Sequence, residues 1–516
     1  MKLALVQLKG QDISAYESAY RSILAQLREA CQTDADMILL PECAYPGYFI
    51  GVAADDAWQI RVEQLLDEIG KAAAGCRKYV AVGVAYPCEG KLFNSLVVFD
   101  RGGKILNRWD KSNLWHFDCR WFSAGTDFSV FETEFGVVGA MVCADGRIPE
   151  IARILRLKGA KLILDSVNLV ANASSPQQLL NQQYAFMLRT RAMENGVFIA
   201  ACNKCGVEDG AVTMAGRSFV VDPRGEIVAE CSPDKQEILL CEVDLNYESP
   251  LPGRRPELYG VLAEATEKLP VYREQANSHN LSDLEYYTAV ARFPANSRED
   301  YLRQAEKRLL YGQLLGAKLI VLPPAGSLLS SHDLLSLCSC MKADAAAVGC
   351  CSDSGVNKAV FFNKEGCAGE LTQSHLDSEG RAIETLQLFD GMRVAALFGL
   401  EMHIPEVSRV AALMGADLLL WFDSCGNRDY FNTMRTRASE NRVFVLRATP
   451  FEGNDCSALV SPDGVMVCTT FSETEHLVAG MVYTALSKCK TVVPGTHIVK
   501  GRIPEAYRLL IEPRGE

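Results

Sequence analysis

The chain has 516 residues, 48% hydrophobic and 22% charged, with a formal net charge of −12. That balance excludes disorder and fibrous repeats, and an acidic chain with no Lys/Arg run among aromatics lacks the electrostatic footprint of a nucleic-acid binder. A single core stops growing near about 250–300 residues, so the length predicts two domains or more.

In chain order, short Val/Ile/Leu-rich runs alternate with amphipathic stretches, the pattern of an α/β layer structure. A strand is expected over 3–7, a helix over 15–31 with Ile23, Leu24 and Leu27 on one face, and a strand over 37–40. Strands over 79–85, 95–99 and 104–108 follow, the last two joined by the turn Asp100-Arg101-Gly102-Gly103. A strand over 137–142 runs into a helix opening near Pro149, where proline suits the first turn. Runs over 162–164, 198–202, 218–221 and 238–243 complete the sheets. The first residues offer too short an apolar run for a signal peptide, and no run of about 20 apolar residues follows, so no membrane partner is expected.

The nineteen cysteines are odd in number and show no regular disulfide spacing, which predicts a reduced, cytoplasmic chain. Cys202 and Cys205 form a lone CxxC without a second pair at zinc-site spacing, and read as structural thiols. The seven histidines are not paired at ligand spacing, so no metal is expected; no other cofactor is expected for the chemistry read below.

Internal self-similarity decides the architecture. Arg189-Thr-Arg-Ala-Met-Glu-Asn195 recurs as Arg435-Thr-Arg-Ala-Ser-Glu-Asn441, and Ile148-Pro-Glu-Ile-Ala-Arg153 as Ile404-Pro-Glu-Val-Ser-Arg409. Leu39-Leu-Pro41 matches Val321-Leu-Pro323, and Gly253-Arg-Arg-Pro-Glu-Leu-Tyr259 matches Gly501-Arg-Ile-Pro-Glu-Ala-Tyr507. The order is the same throughout. Two copies of one unit are therefore expected, a catalytic domain over 1–262 and a degenerate, non-catalytic domain over 285–516, joined by a polar linker over 263–284.

Three strands of the first copy end in reactive residues: Glu42, Lys111 and Cys143. Chemistry in α/β sheets gathers beyond strand carboxyl ends, so these three can converge. A cysteine at a strand-to-helix elbow meets backbone N–H groups and a positive helix end, which favour thiolate. Glu42, flanked by Leu40 and Pro41, is expected to be partly buried with a raised pKa and to act as the base, and Lys111 to steady an oxyanion with the N–H after Cys143. Alone, each has a plainer reading: core packing for the cysteine, solvated turns for the glutamate and lysine.

The segments Leu-Leu-Pro-Glu-Cys-Ala-Tyr-Pro-Gly-Tyr (39–48), Arg-Trp-Asp-Lys-Ser-Asn-Leu (108–114) and Val-Cys-Ala-Asp-Gly-Arg-Ile-Pro-Glu (142–150) resemble the three motif blocks of the nitrilase, or carbon–nitrogen hydrolase, superfamily. The resemblance implies tandem α-β-β-α sandwich domains forming a pseudo-dimer, and a Glu-Lys-Cys triad at Glu42, Lys111 and Cys143. The family's second glutamate block falls on Asp118-Cys-Arg-Trp-Phe-Ser-Ala-Gly125, with an aspartate in its place. Cys143-Ala-Asp-Gly-Arg147 looks like the amidase and N-carbamoyl amine branches, which implies hydrolysis of a small linear amide or ureide through a thioester. Arg147, Tyr48, Trp115, His116 and Asn168 are the candidate substrate contacts. Nitrile hydrolysis, acyl transfer or a non-catalytic ligand-binding role stand as alternatives.

Aligned on the Leu-Pro match, on the hairpin Phe99-Asp-Arg-Gly-Gly103 against Phe362-Asn-Lys-Glu-Gly366 and on Ile-Pro-Glu, Glu42, Lys111 and Cys143 fall in turn on Pro324, Ser374 and Gly399. The second copy is thus expected to be chemically silent and to serve as an intrachain partner replacing a second subunit, with room for a higher homo-oligomer.

Overall fold

The computed structural model describes all residues except 53–55, 172–174, 250, 252, 278–283, 376–379, 424–429, 452–454, 472 and 514–516. Contacts divide the chain into two compact units. The first holds Met1–Leu251 together with Val493–His497 and Gly501–Leu509; the second holds Pro252–Val492, Ile498–Lys500 and Leu510–Glu516.

In the first unit, the described residues form two mixed sheets. One runs Val212–Ala215, Lys204–Glu208, Lys2–Lys9, Met37–Leu39, Tyr79–Cys88, Lys91–Phe99, Ile105–Asp110, with Glu237–Glu242 also paired to Lys2–Lys9. The other runs Ile227–Glu230, Phe219–Val221, Phe198–Cys202, Leu162–Ser166, Gly136–Val142, Val130–Thr133. At the centre of each sheet three parallel strands lie side by side, buried on both faces, which is why they read as unbroken apolar runs.

Two helices cover the first sheet. Tyr16–Cys31 buries Ile23, Leu24 and Leu27, and Ala57–Cys76 buries Val62, Leu65, Leu66, Ile69 and Ala73, all in one core with Val6, Ile38, Val80 and Val82. The sequence reading assigns no element to 57–76, although its apolar spacing has the 3.6-residue period of a helix face. Pro149–Leu157 and Leu188–Asn195 cover the second sheet, with Leu155 against Gly139. The facing sheets meet where Ser166 Oγ and Cys202 Sγ donate to the carbonyls of Leu40 and Leu39. Helix, sheet, sheet, helix is the α-β-β-α order.

The second unit repeats it. One sheet runs Gly366–Thr372, Val356–Asn363, Ala346–Asp353, Leu319–Val321, Glu285–Arg292, His476–Tyr483; the other runs Leu386–Phe389, Met392–Phe398, Leu418–Phe422, Phe444–Ala448, Ala458–Val460, Met466–Thr469. Its inter-sheet core joins Val290, Val321 and Phe361 to Val394, Leu420 and Phe444. Residues 253–277 contribute short helices to this unit, among them Pro256–Leu258, Gly260–Ala263 and Pro270–Asn277, and residues 278–283 of the expected linker lie outside the described residues.

Candidate active site

Glu42 follows the strand Met37–Leu39, Lys111 follows Ile105–Asp110, Cys143 follows Gly136–Val142, and Asp118 opens the short helix Asp118–Trp121. Glu42, Lys111 and Asp118 are fully buried, and Cys143 is 6% exposed.

Lys111 Nζ lies 2.7 Å from Glu42 Oε1 and 2.7 Å from Asp118 Oδ2. A buried ammonium needs such partners, since desolvating it alone costs several kcal/mol, on the order of what a whole domain has to spare. Burial is the strongest influence on Lys111 and pulls its pKa down, but Asp118 and Glu42 together outweigh it and hold the group well above the usual lysine value. It is a fixed cation. Asn94 Nδ2 donates to Glu42 Oε1 at 2.7 Å, and the Trp115 N–H to Asp118 Oδ2 at 3.0 Å. Glu42 Oε2 is buried with no partner among the described residues, so one carboxylate oxygen is left to receive a proton. Gly83 makes room for this turn: a Cβ there would lie 2.3 Å from the Pro41 carbonyl oxygen and 2.6 Å from Glu42 Cα.

Cys143 has φ +51°, a left-handed conformation that costs a side-chain-bearing residue about 1–2 kcal/mol. Surrounding bonds hold it there. Its N–H donates to Asp165 Oδ1 at 2.8 Å, and its carbonyl accepts from Gln183 Nε2 at 2.8 Å. Asp145 ties this elbow to the lysine's loop: Oδ2 accepts the Val142 N–H at 3.1 Å, and Oδ1 accepts those of Ser112 and Asn113 at 3.0 and 2.8 Å. Burial pushes the Asp145 carboxyl up to about 6 against the pull of these donors.

The expectation that the elbow favours thiolate is corrected here. Burial is the strongest influence on Cys143 and pushes its thiol well above the ordinary value; the Glu42 charge adds to the rise, and Lys111 opposes it. The elbow turns through a 3-10 segment, Cys143–Arg147, and the α-helix begins only at Pro149, whereas a helix end acts over about one turn. Burial and the Glu42 charge therefore weigh against a resting thiolate.

The candidate substrate contacts separate into two groups. Tyr48 is buried with its ring 5.8 Å from Lys111 Nζ, and the Asn168 carbonyl lies 4.0 Å from Cys143 Sγ. Both side-chain amide atoms of Asn168 are buried without a hydrogen-bond partner among the described residues. Arg147 instead lies over the Trp115 ring at 4.8 Å and donates to Gln182 at 3.1 Å. His116 packs its ring on Phe117 and donates its N–H to Thr496 Oγ1 at 2.8 Å. Sequence reasoning missed Asn94, Asp145, Asp165 and Gln183. Only Asp145, an acid two residues past the nucleophile at the head of a turn, carries a local signal.

The second unit keeps the elbow and lacks its chemistry. Gly399 has φ +50°, and Glu401 accepts the N–H groups of Phe398, Ser374 and His375, as Asp145 accepts those of Val142, Ser112 and Asn113. This places Gln373, not Ser374, opposite Lys111: the Gln373 N–H bonds the Asn357 carbonyl as the Lys111 N–H bonds that of Asn94. The hairpin explains the correction. Phe99 pairs with Ile105 but Phe362 with Cys367, so the second turn is one residue shorter. Leu322 and Leu40 bond equivalent strand carbonyls at Val348 and Ala81, and Ala325 and Ala44 those at Cys350 and Gly83, so Pro323 and Pro324 fill the place of Pro41, Glu42 and Cys43 and no carboxylate is left there.

The carbon–nitrogen hydrolase family model matches residues 2–252 and 352–487. Among curated relatives, the omega-amidase NIT2-A of Xenopus laevis is 29% identical over 48% of this chain and 86% of its own, and the omega-amidase NIT2 of Homo sapiens is 28% identical over 53% and 94%. Among solved structures, an amidase from Nesterenkonia sp. is 22% identical over 48% of this chain and 93% of its own, with a TM-score of 0.42. With most of its length matched in two separate regions, the chain belongs to the carbon–nitrogen hydrolase family as a tandem duplication.

Proposed function

We propose that the first unit hydrolyses a small linear amide or N-carbamoyl compound through a thioester on Cys143, releasing ammonia. The observation that carries this is the Lys111 ammonium locked 2.7 Å from both Glu42 and Asp118, in electrostatic reach of a thiol at a strained elbow. Glu42 takes the thiol proton as sulfur attacks the carbonyl carbon. Lys111 stabilises the resulting oxyanion, a contribution worth about 10²–10³ in rate where one such donor is removed from other enzymes. Glu42 then passes its proton to the departing nitrogen, the C–N bond breaks, and ammonia leaves an acyl thioester. The same carboxylate deprotonates a water, which attacks the thioester; the proton returns to sulfur and the acid product departs. Asp118 keeps Lys111 charged and in place throughout.

The relatives named omega-amidase favour an amide over a nitrile. Eighteen described cysteines are all unpaired as disulfides, which supports a reducing compartment such as the cytoplasm. Among the described residues no helix is long and apolar enough to cross a membrane. The test is ammonia release from a panel of amides, ureides and nitriles by the full chain and by Cys143→Ala. Turnover of amides or ureides that vanishes in the variant supports the reading; equal turnover by the variant overturns it.

A further inference from the structure

Two segments near the C-terminus, Val493–His497 and Gly501–Leu509, belong to the first unit although in sequence they lie at the end of the second copy. Thr496 is 3% exposed, and its hydroxyl makes two bonds: it accepts the His116 N–H at 2.8 Å and donates to the Leu114 carbonyl at 2.9 Å. Beside it the Gly495 carbonyl accepts from Cys119 Sγ at 3.2 Å. Gly495 has φ +87°, and a Cβ there would lie 2.6 Å from the His116 carbonyl oxygen, so the segment is fitted closely to this loop.

The loop so held is the one that carries Asp118. Its start is fixed by Asp145, through Ser112 and Asn113; its far end turns back so that the Trp115 N–H reaches Asp118 Oδ2, the oxygen bonded to Lys111. Between these points His116 adopts φ +51°, which needs outside support. Thr496 supplies it, bonding the carbonyl of Leu114 and the N–H of His116 with one hydroxyl.

We propose that Thr496 is a positioning residue for the Lys111–Asp118 pair, so that the end of the disarmed copy completes the catalytic unit; this rests on the thiol-amidase reading above. Its hydroxyl clamps the backbone at Leu114 and His116, and the clamp fixes where the lysine charge stands when an oxyanion forms.

The experiment uses the full chain with Thr496→Val, which keeps the shape and removes both bonds, Thr496→Ser, which keeps the hydroxyl, and Gly495→Ala, which pushes on the His116 carbonyl. For each, kcat and KM for ammonia release, amide hydrogen exchange at residues 114–118 and the thermal midpoint are measured. Thr496→Val and Gly495→Ala are expected to speed exchange at His116 at least tenfold and to lower kcat about tenfold with KM within twofold, while Thr496→Ser stays within twofold of the parent throughout. Unchanged exchange in Thr496→Val, faster exchange with kcat unmoved, or a serine variant as impaired as the valine one would each overturn the proposal. Should the parent itself hydrolyse no amide or ureide, the amidase reading fails, and exchange together with the alkylation rate of Cys143 still decides the clamp: both unchanged in Thr496→Val overturn it.

Discussion

The elbows at Cys143 and Gly399 are the same piece of backbone in two chemical states. Both are left-handed, at φ +51° and +50°, and both are tied by a carboxylate two residues on to the two N–H groups that follow the lysine or glutamine position. Behind them, Arg191 and Arg437 each bond a carbonyl of the turn and pair with Glu194 and Glu440 at 2.7 and 2.8 Å. What differs is the filling. Asp165, which receives the Cys143 N–H, is replaced by Trp421, whose indole donates to the Gly399 carbonyl at 2.9 Å, and Ser166 by Phe422, stacked on Phe398. Gly83, which leaves room for Glu42, is replaced by the buried Cys350. The backbone of the turn therefore survives without the cysteine, because its ties serve folding as well.

The first way to break this comparison is to disarm the first elbow. Cys143→Ala should lower ammonia release by more than about 10⁴-fold, and adding Gly399→Cys to it should restore none, since Gln373 stands where the first unit has Lys111 and a proline where it has Glu42. Recovery of turnover in the double variant would show that the second copy still holds a usable site.

Glu42→Gln should lower kcat by about 10²–10⁴. It also tests the electrostatics with a sign of its own. The Glu42 charge helps hold the thiol above its usual pKa, so its neutralisation should move the midpoint of Cys143 alkylation with pH downward while hydrolysis is lost. A midpoint that rises would contradict the arrangement described.

Trp421→Ala should cost about 3–5 kcal/mol in the second unit, read by denaturant unfolding, because nothing replaces a fully buried indole. Turnover per folded molecule should hold. The smallest effect is expected from Gly83→Ala, a loss of about 1–3 kcal/mol with a lower kcat as Glu42 is pushed away, whereas Cys350→Gly should leave kcat unchanged.

The duplication and the strand ends bearing Glu42, Lys111 and Cys143 were legible because strand period and motif spacing are local properties. Asp118 was legible as a frame position, and its bond to Lys111 came only with the folded loop. Asn94, Asp165 and Gln183 reach the site across strands or from a distant helix, and nothing near them in sequence marks that. The counterpart of Lys111 was misplaced by one residue because a shortened hairpin shifts register without leaving a gap in the apolar pattern. The thiol's raised pKa was illegible for a different reason: it is set by burial, and a strand-end cysteine reads the same whether its sulfur is wet or dry.

The burial that raises the Cys143 thiol has a consequence for the molecule at rest. Peroxides and electrophiles consume thiolates and spare thiols. On the proposed reading the sulfur gives up its proton only as it attacks a carbonyl and is then held as a thioester, so it should resist peroxide at rest and, with substrate bound, resist it at least as well.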